Sequence, residues 1–227
     1  KKIVFIFTSV WWLLFMIPLF LFWNDNAKPH KLKLSMSDSF KELFSNKKVF
    51  YFLLAYWVYI DGVDTIIRMA VNYGLTLGFN QYDLLMALLI VQFVSFPGTL
   101  IINALAYRLS TEIGIIICIV TYFAISVFAS LINSLASFYA IAVFIGLVQG
   151  GIQALSRSYF AGIIPKSRDS EYFGIYNMLG KFAALIGPLL VGLVTFFSDN
   201  SRIGILSISL LFIIGLYLMI KVNKFPK

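Results

Sequence analysis

The chain has 227 residues, 60% of them hydrophobic and 12% charged, with a mean hydropathy of +0.90. A soluble domain carries about 25% charged residues, so the composition excludes one and marks an integral membrane protein. The net charge of +8 does not point to nucleic acid, because the basic residues flank apolar stretches instead of gathering with aromatics in one patch.

Seven apolar stretches of membrane-spanning length follow in order: Ile3–Trp23, Val49–Val71, Leu84–Leu105, Ile113–Ile132, Phe138–Phe160, Tyr172–Phe197 and Ile203–Ile220. Helices are expected throughout, since lipid offers no partners to backbone polar groups. A signal peptide is the alternative for the first stretch, which opens on Lys1 and Lys2. However, VWWLLFMIPLFLFW is long and bulky for a signal core, and no small-residue cleavage site follows; the stretch reads as the tail of something longer. The next 25 or so residues, 24–48, are the sizeable polar segment. There Phe40, Leu43 and Phe44 recur at helical spacing behind Ser37 and Asp38, the pattern of a short amphipathic helix on the inner leaflet. His30, in this basic segment, reads as solvated, and Cys118, alone in an apolar span, supplies neither a disulfide nor a metal site. No cofactor is expected.

Basic residues sort the loops. On one side lie Lys28, Lys31, Lys33, Lys41, Lys47, Lys48, Arg108, Arg157, Lys166, Arg168, Lys221, Lys224 and Lys227; on the other, Lys1, Lys2 and Arg202. The richer side is expected to be cytoplasmic, with the C-terminus on it.

The six later spans fall into two triplets of similar character. The second span is polar, the third holds Pro97-Gly98 and the fourth is uniformly apolar; the fifth is polar, the sixth holds Gly187-Pro188 and the seventh is apolar. Two triplets of three would run in opposite senses, as in the inverted repeats of secondary transporters, with helix breaks at both Pro/Gly pairs beside a midplane site. The uniformly apolar spans would then face lipid and the polar ones a cavity.

The second span reads YWVYIDGVDTIIRMAVNYG. Asp61, Asp64, Thr65 and Arg68 share one helical stripe, and Asp64 to Arg68 has the favourable order for an intrahelical pair. A charge at a helix centre costs about 2.5–3.5 kcal/mol on insertion scales, so the stripe should face the bundle interior or water. An ion pair locking helices would account for Asp64 and Arg68 but leaves Asp61 in need of a partner, a proton or a bound cation. Lys181 in the sixth span could snorkel to the inner surface or pair with Asp61. In the fifth span Gly146 and Gly150 form a GxxxG close-packing pattern. Gln149 and Gln153 lie one turn apart there, suited to a polar solute or to a neighbouring helix, and Arg157 reads as a topology anchor. An intramembrane aspartic protease would want carboxylates from separate helices, whereas Asp61 and Asp64 share one. No HExxH or GxSxG string is present, so an enzyme is not expected.

The strings YIDGVDTI, QFVSFPG, GLVQGGIQALSRSYFAGIIP and FGIYNMLGKFAALIGPLLVG together resemble the vacuole-effluxer-like branch of the major facilitator superfamily. That resemblance implies an all-α membrane protein of twelve spans in two six-helix halves. Residues 1–23 would be the last helix of the N-terminal bundle, 24–48 the cytoplasmic linker, and 49–227 the C-terminal six-helix bundle. It implies a secondary transporter working by alternating access on a small polar solute, amino acids among the candidates, with proton or sodium coupling. The membrane would be a bacterial plasma membrane, or the vacuolar membrane in a eukaryote. The N-terminal bundle would come from the same or another chain. Carried over by motif, Tyr59, Asp61, Asp64, Arg68, Gln149, Gln153, Asn177 and Lys181 are the cavity candidates. One position departs from the family pattern: in ALAYRLST, Tyr107 stands where an acidic gating residue is usual. A non-transporting half, a remnant or membrane scaffold, is the alternative that Tyr107 and the missing bundle favour.

Overall fold

A computed structural model describes residues 2–22, 43 and 45–225. The amphipathic helix expected within 24–48 falls largely outside the described residues, as does His30. The chain divides into two compact units, Lys1–Ser35 and Met36–Lys227. In the first, α1 (Lys2–Phe22) runs through Pro18, with Thr8 and Ser9 hydroxyls donating to the carbonyls of Val4 and Phe5 one turn back.

The second unit contains α2 (Lys47–Thr76), α3 (Gln81–Arg108), α4 (Thr111–Ser130) and α5 (Leu135–Ile163), then α6 (Asp169–Phe182) and α7 (Ile186–Ser198), which together make one span, and α8 (Ser201–Ser207) and α9 (Ser209–Val222), which make another. With α1, seven helical segments among the described residues are long and apolar enough to cross a membrane. Side-chain caps start five of them. Asn46, Ser110, Ser134 and Asn200 each accept a first-turn backbone N–H, and Asn80 and Asp83 form a reciprocal capping box. Because such caps sit in the polar flanks, the helices run a few residues past their apolar stretches.

Helix α2 occupies the centre and touches α5, α6, α7 and α9; Phe52, Tyr59 and Val63 are fully buried on it. Helices α3 and α5 pack closely through glycines. A Cβ on Gly98 would stand 2.5 Å from the Leu147 Cα, and one on Gly146 2.9 Å from the Val91 carbonyl oxygen; one on Gly150 would collide with the Thr99 side chain. The GxxxG pattern thus lies against α3.

Two expectations are corrected. Pro97-Gly98 does not break its span, because α3 is continuous from Gln81 to Arg108. The hydroxyls of Ser95 and Thr99 bond the carbonyls of Val91 and Ser95 at 2.8 and 2.7 Å in the turns around the proline, while the carbonyl it leaves without a helical donor is that of Phe93. Nor are the uniformly apolar spans the outward ones. In the fourth and seventh, 44% of the apolar window is buried, against 17% in the third and sixth. Apolar side chains suit a neighbouring helix as well as they suit lipid, so composition alone does not assign the face.

The sixth span does break, at Ala183–Leu185. Pro188 has no N–H to give Ala184, and its ring crowds that carbonyl, so the ladder fails just before it.

Candidate functional site

Three helices of the larger unit enclose a cleft of about 660 Å³. Each contributes one face: Tyr56, Ile60 and Asp64 from α2; Gly150, Gln153, Ala154 and Arg157 from α5; Tyr176, Asn177, Gly180 and Lys181 from α6. Their spacings of three, four and seven residues are those of a helix stripe. Arg157 Nη2 donates to Asn177 Oδ1 at 3.3 Å, and its guanidinium lies 5.9 Å from the centroid of the Phe173 ring. The rings of Tyr56 and Tyr176 stack with centroids 4.1 Å apart, joining α2 to α6. Gly180 makes room for this wall, because a Cβ there would stand 2.9 Å from Tyr56 Oη.

Two cations, Arg157 and Lys181, therefore share the cleft with one carboxylate, Asp64. Asp64 is half-buried and has no hydrogen-bond or ion-pair partner among the described residues. The expected Asp64–Arg68 pair is not closed: Arg68 is exposed and outside the lining. A cleft lined by a carboxylate and two cations, none of them in an ion pair among the described residues, can bind a small solute through separate charges.

Asp61 lies elsewhere. It is 1% exposed, and its two carboxylate oxygens accept the Gly187 N–H at 3.1 and 3.0 Å. The Thr65 hydroxyl donates to the Asp61 backbone carbonyl at 2.6 Å and stands 3.5 Å from Oδ1. The partner that the sequence left open is thus a backbone amide at the start of α7, and the pairing with Lys181 is not made. Tyr59 is also interior, its hydroxyl 2.6 Å from Ser156 Oγ. Gln149 is half-buried outside the lining, with its Oε1 buried and unpartnered among the described residues.

Of the sequence candidates, Asp64, Gln153, Asn177 and Lys181 meet at the cleft; Tyr59, Asp61, Arg68 and Gln149 do not line it. Sequence reasoning passed over Tyr56, Arg157 and Tyr176. Arg157 lies four residues after Gln153, and that spacing was the available signal, but its place near a basic flank hid it. A second cleft of about 580 Å³ lies at the other end of α5 from Ser134, lined by Lys48, Tyr107, Glu112 and Tyr159 among others. Tyr107 is 94% exposed there, and Glu112 supplies an acidic group in the first turn of α4.

The sequence matches the family described as vacuole effluxer Atg22 like over residues 1–225. The chain belongs to that family. An uncharacterized MFS-type transporter of Bacillus subtilis (strain 168), YxiO, is 37% identical over 226 residues, covering 96% of this chain and 53% of that protein. Autophagy-related protein 22 of Kluyveromyces lactis is 24% identical over 244 residues, covering 95% of this chain and 50% of its own length. The same-named protein of Vanderwaltozyma polyspora is 43% identical over 53 residues, 23% of this chain. The chain thus spans about half the length of YxiO and of the Kluyveromyces protein. Membership of the Atg22-like family, with the seven apolar helical segments, makes it a multi-pass membrane protein with a helix bundle of the major facilitator type.

Proposed function

We propose that this chain supplies the C-terminal half of a secondary transporter that moves a small polar solute by alternating access, and that the cleft between α2, α5 and α6 binds that solute. The observation that carries the reading is the meeting of Asp64, Gln153, Arg157, Asn177 and Lys181 in one cleft of a largely apolar bundle. Each charge kept at membrane depth is disfavoured by about 2.5–3.5 kcal/mol on insertion scales, so a cluster drawn from three helices argues for use over packing. In this reading Arg157 and Lys181 hold an anionic group, Asp64 holds a cationic group or exchanges a proton or sodium ion, and Gln153 and Asn177 orient the solute. Amino acids carry both charges and are the first solutes to try.

Residues 1–23 serve as the last helix of an N-terminal bundle and 24–48 as the linker; residues 49–227 form the C-terminal bundle. The N-terminal bundle, from the same or another chain, closes the open side of the cleft. The basic loops face the cytoplasm of a bacterial cell. The names of the relatives support transport as the activity, YxiO as an MFS-type transporter and the family as a vacuole effluxer.

Proteoliposomes holding the full-length permease, loaded with unlabelled amino acids and given trace radiolabelled solute outside, test this. Counterflow of label above protein-free vesicles is expected, and net uptake into unloaded vesicles should rise under an imposed proton or sodium gradient. Flux equal to protein-free vesicles for every solute under either gradient would overturn the reading.

A further inference from the structure

Pro188 interrupts the ladder of the sixth span, and the amide just before it is held by a contact that no feature of the cleft requires. In an unbroken helix the Gly187 N–H would bond the carbonyl of Ala183. Here it bonds the carboxylate of Asp61, brought from α2, a separate helix. On one side of the break the ladder still holds, with the Ala183 N–H on the Leu179 carbonyl at 2.9 Å; on the other it restarts, with the Leu189 N–H on the Leu185 carbonyl at 3.4 Å. One amide thus has two competing acceptors, and with Pro188 already unable to serve Ala184, a bond to Asp61 leaves the Ala183 carbonyl unserved as well.

The fit around this amide is close. A Cβ on Gly187 would collide with the Thr65 hydroxyl and stand 3.1 Å from Asp61 Oδ1, so glycine lets the amide reach the carboxylate. An anion at the N-terminus of α7 also complements the partial positive charge of that helix end. Ala183, at the break, is fully buried, whereas Lys181, two residues earlier, is exposed and lines the cleft.

We infer that Asp61 is a positioning residue: by holding the Gly187 N–H it keeps the sixth span broken at Ala183–Leu185, and so keeps Lys181 and Asn177 turned to the cleft. Asp61 acts on the solute through α6 and not by contact. The importance of the cleft rests on the proposed function, but the geometric claim does not.

The test is thiol labelling of the full-length permease with N-ethylmaleimide, read peptide by peptide. The thiol introduced by Ala183→Cys reports on the break, and the fully buried native Cys118 on α4 reports on the rest of the bundle. Asp61→Leu frees the Gly187 N–H to turn to the Ala183 carbonyl, and the change of path there should draw position 183 out of its buried place and raise its labelling about tenfold while Cys118 stays unlabelled. Asp61→Asn, which keeps an amide oxygen to accept the Gly187 N–H, should stay close to the parent. Unchanged labelling at 183 in Asp61→Leu would overturn the inference. So would equal disruption by Asp61→Asn, since the charge and not the acceptor would then matter. Where Asp61→Leu also exposes Cys118, Gly187→Ala decides. Its methyl group pushes the same contact apart from the other side, and a rise confined to 183 supports the clamp, while any other pattern rejects it. No solute enters this experiment, so a permease that moves nothing in the counterflow assay can still pass or fail here.

Discussion

The third and sixth spans carry the same two residues in opposite order, Pro97-Gly98 and Gly187-Pro188, and answer them differently. In α3 the helix runs on, with hydroxyls of its own helix, Ser95 and Thr99, on carbonyls of the surrounding turns, and with Gly98 closed against the backbone of Leu147 on α5. In the sixth span no hydroxyl lies between Phe182 and Val194; the helix parts, and the carboxylate of Asp61 takes the free amide at the break. A proline in a membrane helix therefore takes its effect from its surroundings: α3 runs on where Gly98 is pressed against α5, and the sixth span parts where an acceptor from another helix takes the amide beside the proline. The joint adjoins the cleft, through Lys181; the continuous helix borders it only at the Gly150–Thr99 contact.

The sharpest way to break the comparison is Gly98→Ala. Its methyl group would sit 2.5 Å from the Leu147 Cα and 2.7 Å from the Leu147 carbonyl oxygen, backbone atoms that cannot rotate away. The loss of stability should be about 1–3 kcal/mol, the usual range for overpacking, and a thermal melt in detergent would read it. At Gly187 the added methyl group meets a side chain instead, so Gly187→Ala should lower the melting temperature less. An equal drop would mean that both sites are mere packing contacts.

Lys181→Gln probes the joint's other consequence. The side chain is exposed and has no ion pair among the described residues, so stability should change by less than about 0.5 kcal/mol. Transport should nevertheless fall about tenfold, the effect of losing roughly 1.4 kcal/mol of solute binding. Full flux from the variant would remove Lys181 from the site. Asp64→Asn should behave in the same way, with the added loss of any dependence on the coupling ion.

How much of this could be read beforehand follows from the kinds of signal involved. Apolar length and composition announced seven spans, and the basic flanks bracketed them, because each is a property of one segment. GxxxG announced close packing, though not that α3 is its partner. The cleft was legible in part: Asp64, Gln153, Asn177 and Lys181 are polar residues in apolar surroundings, which needs no neighbour to notice. Tyr56 and Tyr176 escaped because aromatic residues are ordinary in a membrane helix, and their stacking depends on two helices meeting. Asp61 shows the limit most clearly. It shares a stripe with Asp64, but three residues turn a helix by some 300° and leave neighbours in a stripe about 60° apart. That offset is enough for one carboxylate to face the cleft and the other the start of α7. Which of them would be clamped depended on where Gly187 came to lie, 126 positions along the chain.

Pro188→Ala comes next in size. It restores an N–H that Ala184 can accept, so a straight helix becomes competitive, and a partial shift should cut flux severalfold while the protein melts no lower than the parent. Asp61 still offers the alternative acceptor, so the break should weaken and not vanish; combined with Asp61→Leu the two effects should compound, since both act on one equilibrium.

The smallest effect belongs to Pro97→Ala, and it completes the comparison. The substitution gives α3 an N–H that can bond the Phe93 carbonyl within a helix that is already continuous, so nothing in the backbone path has to change. The gain should not exceed about 1 kcal/mol, the net worth of a single hydrogen bond. Gly98 still fixes the distance to α5, so packing is unaltered and flux should match the parent. A melting temperature equal to or slightly above the parent's, with unchanged transport, would place Pro97 outside the moving parts. Lost transport at full stability would instead show that α3 flexes at Pro97 during the cycle, and the contrast between the two spans would then describe one state of the protein and not its design.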